Sequence, residues 1–204
     1  MNRYGYSWEA VTVATAGGDS TLFHITGKNG YEWFKPTRPE IPVLVMPAAF
    51  MDGTSWFEID QVAFGLSKNT PLPAALYDAG FDVWIGNTRG TEYAKPTSWD
   101  FTLVDLSKDV ETLVLAIKNK TGMDKVNYVG YGLGNMTMFY GAATNSAFYL
   151  SNIHKFVALN PCVVTSAPKE SSKEVPVMNE ETGEQEINPT TNEPKFETVY
   201  EPFT

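Results

Sequence analysis

Four short, mostly apolar runs, at residues 42–46, 81–85, 126–129 and 156–159, broken only by Asp82 and Asn127, alternate with stretches of helical spacing, and this rhythm limits the possible folds more than any other feature. A strand that is apolar at every position has no face to offer water, so it belongs in a sheet covered on both sides. The intervening stretches supply the cover. Residues 72–78 read as a helix ended near Gly80, and residues 106–120 set Val110, Leu113, Val114 and Ile117 on one face before Thr121 and Gly122 stop the helix. Residues 135–144 form a third candidate helix. Ahead of all these, residues 8–15 alternate apolar and small polar side chains, Gly17, Gly18 and Asp19 signal a turn, and residues 21–25 form a second β-rich run. The expectation is an α/β domain on a mainly parallel sheet that begins with an antiparallel hairpin.

The rhythm stops near residue 167, which divides the chain into an expected domain at 1–166 and a tail at 167–204. The tail holds nine Glu against three Lys, a net −6 out of −9 for the whole chain, and carries Pro168, Pro176, Pro189, Pro194 and Pro202 among few large aliphatics. Such a composition builds no core and predicts an extended acidic segment, with β character only at residues 196–200. A net negative charge disfavours nucleic acid and anionic membrane surfaces as partners. Cys162 is the single cysteine and His24 and His154 are the only histidines, so no internal disulfide, metal or cofactor is expected. No apolar stretch approaches the roughly 18 residues that span a bilayer, and the first eight residues lack the segments of a secretion signal. The reading is an intracellular protein, cytoplasmic or within an organellar or cytoskeletal assembly.

Residues 127–134, Asn-Tyr-Val-Gly-Tyr-Gly-Leu-Gly, lead from a strand through a glycine-rich turn into a helix, a layout used by two chemistries. A dinucleotide fold needs Gly-x-Gly-x-x-Gly and an acidic residue about 20 positions on. Here Asn135 takes the third glycine position, and no Asp or Glu lies between Asp124 and Glu170. The other layout, Gly-x-Ser-x-Gly, exposes a nucleophile on a strained turn. Gly130, Tyr131, Gly132, Leu133 and Gly134 keep its outer glycines and put Gly132 at the nucleophile position.

The stretch Asp78-Ala79-Gly80-Phe81-Asp82-Val83-Trp84-Ile85-Gly86-Asn87-Thr88-Arg89-Gly90, with Ser98-Trp99-Asp100-Phe101 and Lys125-Val126-Asn127-Tyr128-Val129-Gly130, resembles the acid lipase family of α/β-hydrolases, which includes gastric and lysosomal acid lipases. The resemblance covers residues from about 8 to 162 and implies a truncated α/β-hydrolase fold followed by the extended acidic tail. The family's elbow is Gly-His-Ser-x-Gly, so at Gly132 a hydrogen replaces the reacting side chain. Glycine tolerates the strained backbone, so the turn can outlast its chemistry. The family's Gln-His-Gly-Leu loop is replaced by Pro47-Ala48-Ala49-Phe50, where only the amides of Phe50 and Leu133 are left to face the former oxyanion position. The resemblance places the family's triad Asp and His beyond the equivalent of Cys162, and the chain is expected to stop short of them.

His24, where the family tends to have arginine, and His154 are read as structural or surface residues, and Cys162 as a packing residue. Asp82, Trp84, Asn87 and Arg89 are expected to hold the strand-end loop through buried hydrogen bonds. Phe50, Met51, Trp56 and Phe57 are expected to fill the former acyl pocket, with Tyr131 plugging the vacant site. Losing a triad serine alone costs on the order of 10⁶-fold in turnover, so the expectation is a non-catalytic pseudoenzyme serving as a structural or accessory subunit. The sheet edge at Phe156, Val157, Ala158 and Leu159 and the exposed Met138, Phe139 and Tyr140 are expected to be covered by the chain's own tail at residues 196–200, by a second copy or by a different protein, and the expected partners are other protein subunits that cover this edge and touch the tail. Two alternatives are a lipid or fatty-acid binding module and a lipid ester hydrolase completed by another chain.

Overall fold

A mixed six-stranded sheet organises the main part of the chain. It is seen in a computed structural model that describes residues 4–29, 41–58, 71–161, 172–177, 185, 187–188 and 193–200. The chain divides into two compact units, Met1–Val163 and Val164–Thr204.

In the first unit, β1 (Tyr6–Thr15) and β2 (Gly18–Lys28) form the expected antiparallel hairpin. Its turn falls at Ala16 and Gly17, earlier than the sequence signal, because Thr15 closes the hairpin by donating its hydroxyl to the Gly18 carbonyl at 2.7 Å. The apolar runs become β3 (Val43–Met46), β4 (Val83–Ile85), β5 (Val126–Tyr131) and β6 (Ile153–Leu159). They assemble in the order β1-β2-β4-β3-β5-β6, with β4, β3, β5 and β6 mutually parallel and β2 antiparallel to β4. Every residue of β3 and β4 is buried, as their uninterrupted apolar character requires.

The helices are α1 (Ser55–Glu58), α2 (Leu72–Asp78), α3 (Leu103–Thr121), α4 (Leu133–Thr144) and α5 (Ser146–Asn152). α3 begins where the Asp105 carboxylate accepts the Thr102 amide at 2.9 Å and ends at Gly122, whose φ of 70° suits glycine. Its buried stripe includes Val110, Leu113, Val114 and Ile117, and packs with Leu44, Trp84, Tyr128 and Met138 into a core on one sheet face. A second core, with Phe23, Val45, Ile85, Phe57 and Tyr77, occupies the other face.

α5 was not foreseen from the residues. It corrects one expectation, because Met138 is buried in the first core along with Tyr149 of α5, while Phe139 remains partly exposed. The junction is close. A Cβ added to Gly141 would overlap the Tyr149 hydroxyl, which donates to the Ser107 carbonyl of α3 at 3.4 Å.

In the second unit, β7 (Ser172–Pro176) pairs antiparallel with β8 (Phe196–Tyr200), and an isolated bridge joins Ile187 to Pro194. The tail is thus extended, but paired with itself over these residues.

Candidate functional site

The turn after β5 has the backbone of a nucleophile elbow. Gly132 adopts φ 50° and ψ −109°, and its carbonyl accepts the amides of Asn135 at 3.0 Å and Met136 at 3.3 Å as α4 begins. The outer glycines are demanded by close approach. A Cβ on Gly134 would sit 2.8 Å from the Met46 carbonyl oxygen, and one on Gly130 would sit 2.6 Å from Asn135 Oδ1. The turn therefore lies hard against the end of β3.

At the tip the missing side chain has little room waiting for it. A Cβ on Gly132 would meet Ala48 Cβ at 3.0 Å, tighter than ordinary van der Waals contact. Ala48 opens the loop that leads to Phe50, where the Met51 amide donates back to the Ala48 carbonyl at 3.3 Å. Phe50 has φ 61° and is fully exposed, which corrects the expectation that it fills the former acyl pocket. The left-handed turn carries its ring out of the fold. Trp56 and Phe57 are both buried in the second core, and the Tyr131 ring centroid lies 6.0 Å from that of Trp56.

The strand-end block does what its residue types suggest. Asn87 accepts the Gly53 amide at 2.7 Å and donates to the Thr21 carbonyl at 2.6 Å, tying the elbow-side loop to the hairpin. Arg89 grips Asp109 of α3 with two 2.7 Å hydrogen bonds, and both side chains are about nine-tenths buried, at 9% and 10% exposure. That pairing raises the Arg89 pKa further above its ordinary value. Asp82 accepts Trp84 Nε1 at 2.9 Å and also faces His24 Nε2 at 2.7 Å.

Neither histidine can serve the elbow. His24 lies on β2, with β4 and β3 between it and β5. His154 lies near the start of β6, which runs parallel to β5, and so stands at the opposite end of the sheet from Gly132. Cys162 lies outside the described residues. Asn135, which sequence reasoning noted only as a failed glycine, is fully buried and donates Nδ2 to the Leu159 carbonyl at 2.7 Å, binding the base of the elbow to the end of β6. Among the described residues no group of three or more His, Cys, Asp or Glu could hold a metal ion, and no helix is long and apolar enough to cross a membrane.

One further concavity lies at the far end of the sheet. A cleft of about 310 Å³ is bordered by Val43, Leu76, Phe81, Val129 and Val157, with His154 and Lys155 also lining it.

Comparison with known proteins places these features. The sequence profile described as alpha/beta hydrolase fold matches residues 41–183. Lipase lipl-5 of Caenorhabditis elegans is 31% identical over 176 residues, covering 79% of this chain and 41% of the relative. Gastric triacylglycerol lipase of Mus musculus is 32% identical over 117 residues, covering 52% of this chain and 29% of the relative. Lipase member K of Homo sapiens is 28% identical, covering 88% and 45%. The chain thus spans less than half the length of these curated relatives. Among solved structures, epoxide hydrolase VrEH1 from Vigna radiata superposes with a TM-score of 0.54 at 18% identity, covering 79% of this chain and 43% of that one. Naproxen esterase from Bacillus subtilis gives 0.53 at 12% identity, covering 78% and 45%. At these identities the structures speak for the fold alone.

Proposed function

The chain belongs to the alpha/beta hydrolase fold family and has acid-lipase-like relatives within it, and from that premise we propose that it is a catalytically silent member serving as a structural or accessory subunit of a larger protein assembly. One observation carries the reading. The elbow of such hydrolases works through a hydroxyl on its central residue, activated by a neighbouring base. Gly132 has no side chain there, and a Cβ built on it would meet that of Ala48 at 3.0 Å. The flanking Tyr131 packs near Trp56, and Leu133 has no reactive group.

The accessory role draws its support from the surface. Among the described residues β6 is the last strand of its sheet, paired on one side by β5, and its Val157 is 49% exposed beside the apolar cleft. An open edge of this kind recruits a strand or helix from another protein, or aggregates. Subunits that cover β6 and contact the acidic tail are part of the proposal.

The test is covalent labelling of the purified chain by a fluorophosphonate probe alongside turnover of a short-chain ester. Neither signal should exceed that of the heat-denatured protein. Labelling that disappears when Gly132 or its neighbours are substituted would overturn the reading. A second reading is favoured by Phe50, an exposed aromatic ring in the same loop as Ala48. It would meet an apolar ligand, making the chain a lipid-binding module, and lipid co-purifying with wild type but lost on Phe50→Ser would mark that case.

A further inference from the structure

The hairpin is joined to the parallel strands over a short distance. β1 and β2 pair through ten register positions, but β2 meets β4 through only two, Phe23 with Ile85 and His24 with Trp84. The second of these pairs is where three elements converge. His24 Nδ1 lies 3.1 Å from Glu9 Oε1 on β1, and Nε2 lies 2.7 Å from Asp82 Oδ1 on the segment entering β4. The imidazole stacks on the Trp84 indole with centroids 3.9 Å apart and planes 4° from parallel. The other oxygen of Asp82 is taken by Trp84 Nε1. The histidine side chain is 21% exposed, so water gives only partial compensation.

Hydrogen-bond accounting then fixes which form of the ring fits. A carboxylate only accepts, and a neutral imidazole has one N–H and one lone pair. With a carboxylate at each nitrogen, the neutral ring turns a lone pair on one of them. Only the imidazolium donates to both, with charge-assisted bonds. We propose that His24 is a proton-operated clasp that fastens the β1–β2 hairpin to β4 in mildly acidic conditions and loosens it as the pH rises.

The surroundings support this. Burial favours the neutral ring, but the hydrogen bonds to Asp82 and Glu9 outweigh it and raise the pKa above the ordinary 6.5. A value raised by folding means that the stabilisation is complete below about 6.5 and is lost as pH climbs through the folded value. The other ionic tie on this side of the hairpin is the cluster of Lys28 and Tyr6 with Asp78 of α2. Lys28 and Tyr6 titrate above their ordinary 10.5 and 10.0, so their charges are constant across pH 5.5–8.5. Among the described residues, Glu9 and Asp82 are the ionisable groups that hydrogen-bond the ring.

Hydrogen exchange read by mass spectrometry tests the clasp in the full chain. After correction for intrinsic exchange and normalisation to α3, protection of residues 6–28 should fall about three- to tenfold between pH 5.5 and 8.5. His24→Arg should keep protection high at both pH values, and His24→Gln should hold it low at both. A wild type with no relative loss, or an Arg variant with the same loss, would overturn the proposal. Should the Gln variant fail to fold, an NMR titration of wild type still decides, because a His24 ring that titrates at or below 6.5 is incompatible with the clasp.

Discussion

The elbow at residues 130–134 and the strand-end block at residues 82–89 stand at the ends of neighbouring parts of one sheet and have fared in opposite ways. At the elbow the backbone alone does the holding: Gly132 has φ 50° and carries no side chain. In the block the side chains carry the structure, since Asn87 and Arg89 bind loop, hairpin and α3 together. A turn held by close backbone approach asks little of its side chains, whereas a loop held by side-chain hydrogen bonds depends on each of them.

The contrast can be broken at three points. Arg89→Ala should have the largest effect, because it strands the buried Asp109 carboxylate; a loss of about 3–5 kcal/mol in urea unfolding is expected. A loss below 1 kcal/mol would show that the block is not held as described. Gly134→Ala presses a methyl group on the Met46 carbonyl and should cost roughly 1–3 kcal/mol by the same measurement. Gly132→Ser should be the mildest, at about 1–2 kcal/mol for placing a side chain on a sparsely populated backbone conformation with φ 50° and ψ −109°, and should restore no ester hydrolysis in a spectrophotometric assay. If it proves as damaging as Gly134→Ala, the tip is as tightly bound as its flanks and the distinction between them narrows.

Much of this was legible in the residues. The mostly apolar runs placed β3 and β4 because a fully buried strand offers no face for polar side chains, and the stripe of α3 followed from its 3.6-residue period. The outward turn of Phe50 was not legible, because its φ is set by the Met51-to-Ala48 hydrogen bond and not by any preference of phenylalanine. α5 was missed because Ser146–Asn152 is too short for its period to stand out, and its burial depends on a glycine in another helix. The contact between Ala48 and Gly132 joins residues far apart in sequence, so only the fold displays it. The pairing of β7 with β8 has the same origin, since composition reports extended chain but not its register.

The meeting of Gly141, Tyr149 and Ser107 means that α3, α4 and α5 share a single phenol as their common bearing. Displacing any one of the three would dislodge that ring from the other two, so this helical layer answers a disturbance as one mechanical piece. The turn at Gly132, which leads into α4, is therefore anchored to a support with few independent ways to drift.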